Sequence, residues 1–231
     1  MQKKSGLKKL WQVPAVIMCI ALTMYFPKIL GVRGYYVTAL IYGVIAISAL
    51  LCSFEKERQN SLKISLIAVL AAGAIAGRIV FAATPFVKPV AALVIICGIS
   101  LGPLPGFVCG SCAMLMSNFM FGQGPWTIWQ MLAFGLLGYV AGLIFYTRSK
   151  WQKKIPVSLF GFVFYVLFAG PILDLSGLFI YTAPTKTALI ATLAAGFPVN
   201  LTGGAATAIF LLVLFNPITK KLNRIKIKYG I

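Results

Sequence analysis

Long apolar runs follow one another along this chain with almost no polar linker between them. Eight can be read, roughly at residues 13–31, 36–54, 62–84, 89–102, 104–121, 126–147, 157–180 and 187–215. A helix needs about 20 apolar residues to cross a bilayer, and most of the runs reach that length, the fourth being short. No alternating period-2 pattern of a membrane barrel accompanies them. The runs therefore predict an all-α integral membrane protein with one membrane domain and no soluble domain. Composition agrees: 60% of residues are hydrophobic and only 10% are charged, against about 25% charged in soluble domains. Pro14, Pro89, Pro105 and Pro156 stand near proposed helix starts, where a missing N–H costs little. The basic beginning resembles a signal peptide, but its apolar run is long and no clear small-residue cleavage site follows, so a retained helix is expected.

Charge excludes several chemistries and supplies a topology. There are 21 Lys and Arg, 3 Asp and Glu, and no His. A His-carboxylate metal site cannot be assembled, and two of the three acids, Glu55 and Glu57, share one polar loop. The phosphate loop G-x-x-x-x-G-K-[ST] is absent, which excludes ATP hydrolysis by that route. With the N-terminus cytoplasmic and all runs crossing, basic residues at 3–9, 56–63, 148–154 and 220–228 fall on the inside. Lys28, Arg33, Lys88 and Lys186 fall outside, and Arg78 lies within a span. This is the distribution of the positive-inside rule, with both termini cytoplasmic. It disposes of a nucleic-acid reading and makes anionic lipid the natural partner of the basic face.

Two sets of residues stand out against the apolar background. Ala68, Ala72 and Ala76, with Gly73 beside them, recur every four residues on the third run. Such a flat stripe lets another helix approach closely, either within this protein or from a separate membrane subunit. Gly98, Gly102, Gly106 and Gly110 have the same spacing, interrupted by Pro103 and Pro105, which are expected to break the helix there. Cys109 and Cys112 form a C-x-x-C inside an apolar span, where thiolate chemistry is disfavoured and packing is the expected role.

The second set is polar and gathers toward the outer side. Arg78 and Asp174 lie at similar expected depth, and an ion pair between them would relieve the cost of a cation in lipid. The stretch Ser117-Asn118-Phe119-Met120-Phe121-Gly122-Gln123-Gly124-Pro125-Trp126-Thr127-Ile128-Trp129-Gln130 joins two spans outside. It combines aromatic faces with amides around a Gly-Pro turn, the components of a pocket for a large polar organic molecule. Phe86 and Lys88 in the preceding outer loop, and Tyr181 in the following one, could complete its rim. Asn200, within Gly196-Phe197-Pro198-Val199-Asn200, marks a candidate helix break; a helix–helix hydrogen bond is its other reading. The candidate ligand-binding residues are thus Arg78, Phe86, Lys88, Asn118, Gln123, Trp126, Trp129, Gln130, Asp174, Tyr181 and Asn200.

Over residues 62–215, the run from Arg78 through Thr84-Pro85, Lys88-Pro89-Val90, Gly98, Gly102-Pro103 and Gly106 to Asn118-Phe119, Phe121-Gly122-Gln123-Gly124-Pro125-Trp126-Thr127 and Trp129-Gln130-Met131 resembles the substrate-binding S-component of energy-coupling factor (ECF) transporters. The second half resembles the subgroup that includes the cobalamin S-component. The resemblance implies a six-helix core, placed at 62–231; the basic tail and about two extra helices read at 1–61 depart from that six-helix plan. It implies capture of a vitamin, cobalamin first, on the extracellular side. It also implies partners, a transmembrane coupling subunit and two cytosolic ATPases, with docking through Ala68, Ala72, Gly73 and Ala76. No resident cofactor and no catalytic residue are expected. An S-component for another micronutrient and a non-catalytic membrane scaffold remain the alternatives; a lipid-modifying enzyme is disfavoured by the missing acids and His.

Overall fold

A computed structural model of the chain describes residues 61–148, 151–181 and 185–230, with the side chains of 179–181 outside that description. The two N-terminal spans expected before residue 61 lie outside the described residues. All described helices belong to the unit Glu57–Ile231. They are α1 (Ser61–Val80), α2 (Val90–Leu101), α3 (Pro103–Phe121), α4 (Trp126–Phe145), α5 (Lys154–Phe164), α6 (Gly170–Tyr181) and α7 (Lys186–Tyr229). A π-helical turn, Tyr165–Ala169, joins α5 to α6 into one continuous rod. Its wide turn precedes Pro171, which has no N–H to offer the helical ladder. Among the described residues, five stretches, counting this rod as one, are long and apolar enough to cross a membrane.

The core is organised around α2. At 12 residues it is about 18 Å long, too short to cross a bilayer alone. Every one of its residues is buried, so protein rather than lipid surrounds its ends, and irregular backbone beside it is tolerated. Glycines allow the close approach. A Cβ on Gly98 would lie 2.0 Å from the Gly138 carbonyl oxygen, and one on Gly138 would lie 2.4 Å from that of Gly106. Both distances are far below van der Waals contact, so α2, α3 and α4 meet backbone to backbone through Gly98, Gly106 and Gly138.

The helix breaks at the Gly-Pro turn, as expected, but the break is tighter than the sequence suggests. Pro103 and Pro105 do not lie in an extended break; they occupy the first turn of α3, where their missing N–H groups would be unpaired anyway. A single residue, Gly102, makes the whole turn at φ 116°, a conformation that only glycine adopts freely. The proposed break near Asn200, by contrast, is absent. α7 runs through Pro198 and Pro217 without interruption and ends at Tyr229 rather than near 215. At about 1.5 Å per residue it is about 66 Å long, roughly twice a hydrocarbon core. Its far end packs back on the core: Leu222 is buried, and Lys226 Nζ donates to the Ser100 carbonyl at 2.7 Å.

Candidate ligand-binding end of the helix bundle

The polar residues of α1, α3 and α4 converge where the loops 81–89 and 122–125 close one end of the bundle. Asn118 is the hub and is 1% exposed. Its Oδ1 accepts from Arg78 Nη1 at 2.8 Å, and its Nδ2 donates to Thr127 Oγ1 and to Gln130 Oε1, each at 2.8 Å. The same Arg78 nitrogen also donates to Ser117 Oγ and contacts Met114 Sδ. The Thr127 hydroxyl donates to Gln123 Oε1 at 3.0 Å, while Gln123 Nε2 donates to the Leu115 carbonyl at 2.9 Å. One polar chain therefore ties three helices and the 122–125 turn together. In an apolar bundle each member would otherwise be an unpaired polar group.

Aromatic rings sit beside this chain. Phe121, partly exposed at the end of α3, carries two cations against its ring: Arg78 Cζ at 4.8 Å and Lys88 Nζ at 5.4 Å from the centroid. Gly122, at φ 97°, turns the backbone immediately after it. Partial desolvation, with the Arg78 charge second, holds the Lys88 ammonium pKa below the ordinary lysine value. Phe86 is 52% exposed and adopts φ 63°, unusual for an aromatic residue and a store of local strain. Thr84 braces that loop by donating to the carbonyls of Phe81 and Val87. The Trp126 ring lies on Gly124, where a Cβ would come within 2.4 Å of it.

Two expectations require correction, and a third lies outside the described side chains. Arg78 and Asp174 make no ion pair among the described residues. Arg78 is held by Asn118 and Ser117, whereas the half-buried Asp174 accepts from Asn200 Nδ2 at 2.6 Å. The reason is geometric: α6 and α7 pack through reciprocal notches, Asn200 against Gly170 and the Asp174 carboxylate against Gly196. Asn200 is accordingly a helix–helix hydrogen bonder. Trp129 belongs to the interior, at 5% exposed, rather than to an open rim. Tyr181 ends α6, and its side chain lies outside the described residues.

The structure thus brings together Arg78, Lys88, Asn118, Gln123, Trp126 and Gln130 around the α3–α4 turn. Asp174 and Asn200 form a separate pair. Three participants escaped sequence reasoning: Ser117, Thr127 and Phe121. They stand inside the singled-out stretch, but a hydroxyl on a helix is an ordinary residue until its partner is known.

The small-residue stripe behaves as two faces of one helix. Leu66, Leu70 and Ala74 of α1 point into the core, whereas Ala68, Ala72 and Ala76, two residues out of phase, are exposed together with Gly73. Two residues are about 200° of helix rotation, so the stripe faces away from the bundle and does not serve its internal packing. Cys97 and Cys109 are buried, and Cys112 is partly so. No cluster of metal-ligating residues occurs among the described residues.

Residues 58–220 match the family model described as "ECF-type riboflavin transporter, S component". No curated protein matches the chain. No solved structure matches it either.

Proposed function

Because the chain belongs to the family of ECF-type riboflavin transporter S components, we propose that this membrane protein captures a vitamin outside the cell and delivers it for ATP-driven uptake. The Arg78–Asn118–Gln130 network and its flanking Phe86, Phe121 and Trp126 form the binding end in this reading. The observation that carries it is the coincidence of that network with the family match, which spans every residue of the network. Flat aromatic faces beside fixed amides suit a large heterocyclic ligand. The amides are already oriented by each other, so binding costs little side-chain entropy.

Two ligands have specific support. The run Asn118-Phe119 to Trp126-Thr127 resembles the cobalamin subgroup and favours cobalamin. The family description names riboflavin and favours that vitamin. Isothermal titration of the purified chain with cyanocobalamin and with riboflavin decides between them. One saturable site for either, lost in Asn118→Ala, is the expected result; absence of binding to both would remove the reading.

The chain binds and the work is done elsewhere: it has no phosphate loop, so ATP hydrolysis falls to two cytosolic ATPase partners acting through a membrane coupling subunit. The exposed Ala68, Ala72, Gly73 and Ala76 face is the dock for that subunit, since a stripe of small residues permits backbone approach in lipid. Both termini face the cytoplasm in this arrangement, and the loops 81–89 and 122–125 face out, as the distribution of Lys and Arg favours.

A further inference from the structure

The binding end holds two cations on one ring and, among the described residues, no anion paired with either. Arg78 and Lys88 both contact Phe121. Asp174 is the one acid among the described residues, and it is occupied by Asn200. Nor is the guanidinium saturated. All three of its hydrogen-bond contacts use Nη1, so Nη2 and Nε, which carry the other three of its five N–H donors, have no partner among the described residues. Lys88 Nζ likewise has only the Phe121 ring.

Like charges gathered at a half-buried site repel each other and raise the free energy of the empty state. If Arg78 served only to brace α1 against α3, the network through Asn118 would suffice, and a second cation on the same ring would be a net cost. A lone cation on Phe121 could be a packing device; two cations flanking unfilled donors match an oxyanion. We propose that the Arg78–Phe121–Lys88 clamp selects ligands that carry an oxyanion, such as a phosphate ester or phosphodiester, beside their flat face.

This inference rests on the vitamin-binding reading and adds the charge of the substrate to it. The same chemistry could come from the phosphate of a free ligand or of a lipid headgroup. The proposal commits to the ligand, because Arg78 is tied to the buried hub Asn118, inside the bundle.

The test uses two ligand pairs that differ in the phosphate. Riboflavin is compared with riboflavin 5′-phosphate, and dicyanocobinamide with dicyanocobinamide phosphate, so that each pair differs in the phosphate alone. Each is titrated calorimetrically into the purified chain, wild type and Lys88→Gln, in nanodiscs of phosphatidylcholine and of phosphatidylglycerol. A partly exposed charge pair contributes up to about 1 kcal/mol, or about fivefold in affinity. For whichever pair binds, the phosphate-bearing member is expected to bind more tightly by up to about fivefold, and Lys88→Gln brings the ratio toward one. Equal binding of both members overturns the inference while leaving the vitamin reading intact. Phosphate selectivity present in phosphatidylcholine but erased in phosphatidylglycerol shows that lipid headgroups occupy the clamp, and also overturns it. If none of the four binds, the vitamin reading itself has failed, which is distinguishable from loss of selectivity alone.

Discussion

Removing the side chain of Asn118 should destabilise the bundle more than any other single polar deletion at this end. Asn118 is 1% exposed and makes three hydrogen bonds, one with the charged Arg78 and two with the neutral Thr127 and Gln130. In Asn118→Ala all three partners lose a bond, and Thr127, at 5% exposed, has little access to water to replace it. Charged hydrogen bonds contribute about 1.5–3 kcal/mol and neutral ones about 1. Interhelical bonds in membrane bundles average lower, about 0.6 kcal/mol, because the unfolded chain in lipid also finds partners. Arg78 keeps Ser117, and Thr127 keeps Gln123, which trims the loss further. The expected destabilisation is about 2–4 kcal/mol. Reversible unfolding in mixed micelles measures it directly. Ser117→Ala, which removes one of several contacts, serves as the comparison and should cost about 1 kcal/mol. A loss below about 0.5 kcal/mol in Asn118→Ala would refute the claim that this hub fastens α1, α3 and α4 together.

Other consequences concern the remaining contacts. Gly138→Ala places a Cβ 2.4 Å from the Gly106 carbonyl oxygen, backbone against backbone, and should cost about 1–3 kcal/mol of stability; an unchanged unfolding midpoint would contradict the glycine crossing. Asn200→Leu leaves Asp174 unpaired and presses a larger side chain on Gly170. Its cost should be about 2 kcal/mol or more, and Asp174→Asn should be far milder, both read by the same unfolding experiment. Ala72→Trp, on the exposed stripe, should leave ligand titrations unchanged but abolish uptake in cells that supply the coupling module. Uptake at the parental rate would remove the docking role of that face.

Much of the architecture could be read from residues alone, and the limits have physical reasons. The spans were legible because apolar length has one meaning in a bilayer. The short fourth run proved to be α2, whose burial on all sides explains why it need not reach 20 residues. Turn chemistry was harder. Pro103 and Pro105 read equally well as breakers and as first-turn residues, and only the position of Gly102 at φ 116° decides. Pro198 marks a candidate break in the sequence but is tolerated within α7, as is Pro217. Depth along the membrane suggested joining Arg78 to Asp174, yet depth does not report which face of a helix a residue occupies. The partners chosen instead, Ser117 and Asn118, lie on α3, and Asp174 faces Asn200 across a helix pair notched by glycines. The stripe Ala68, Ala72 and Ala76 was ambiguous for the complementary reason: spacing shows that a face exists but not what covers it.

The most direct test of the account is reconstituted uptake. The chain is placed in proteoliposomes with an ECF coupling subunit and its two ATPases, and labelled cobalamin or riboflavin is supplied at the capture side. ATP-dependent accumulation of one vitamin that requires both this chain and the ATPase module, and that falls in Asn118→Ala, is the predicted result. Accumulation that proceeds without the module, or no accumulation of either vitamin despite a functional module, would contradict it.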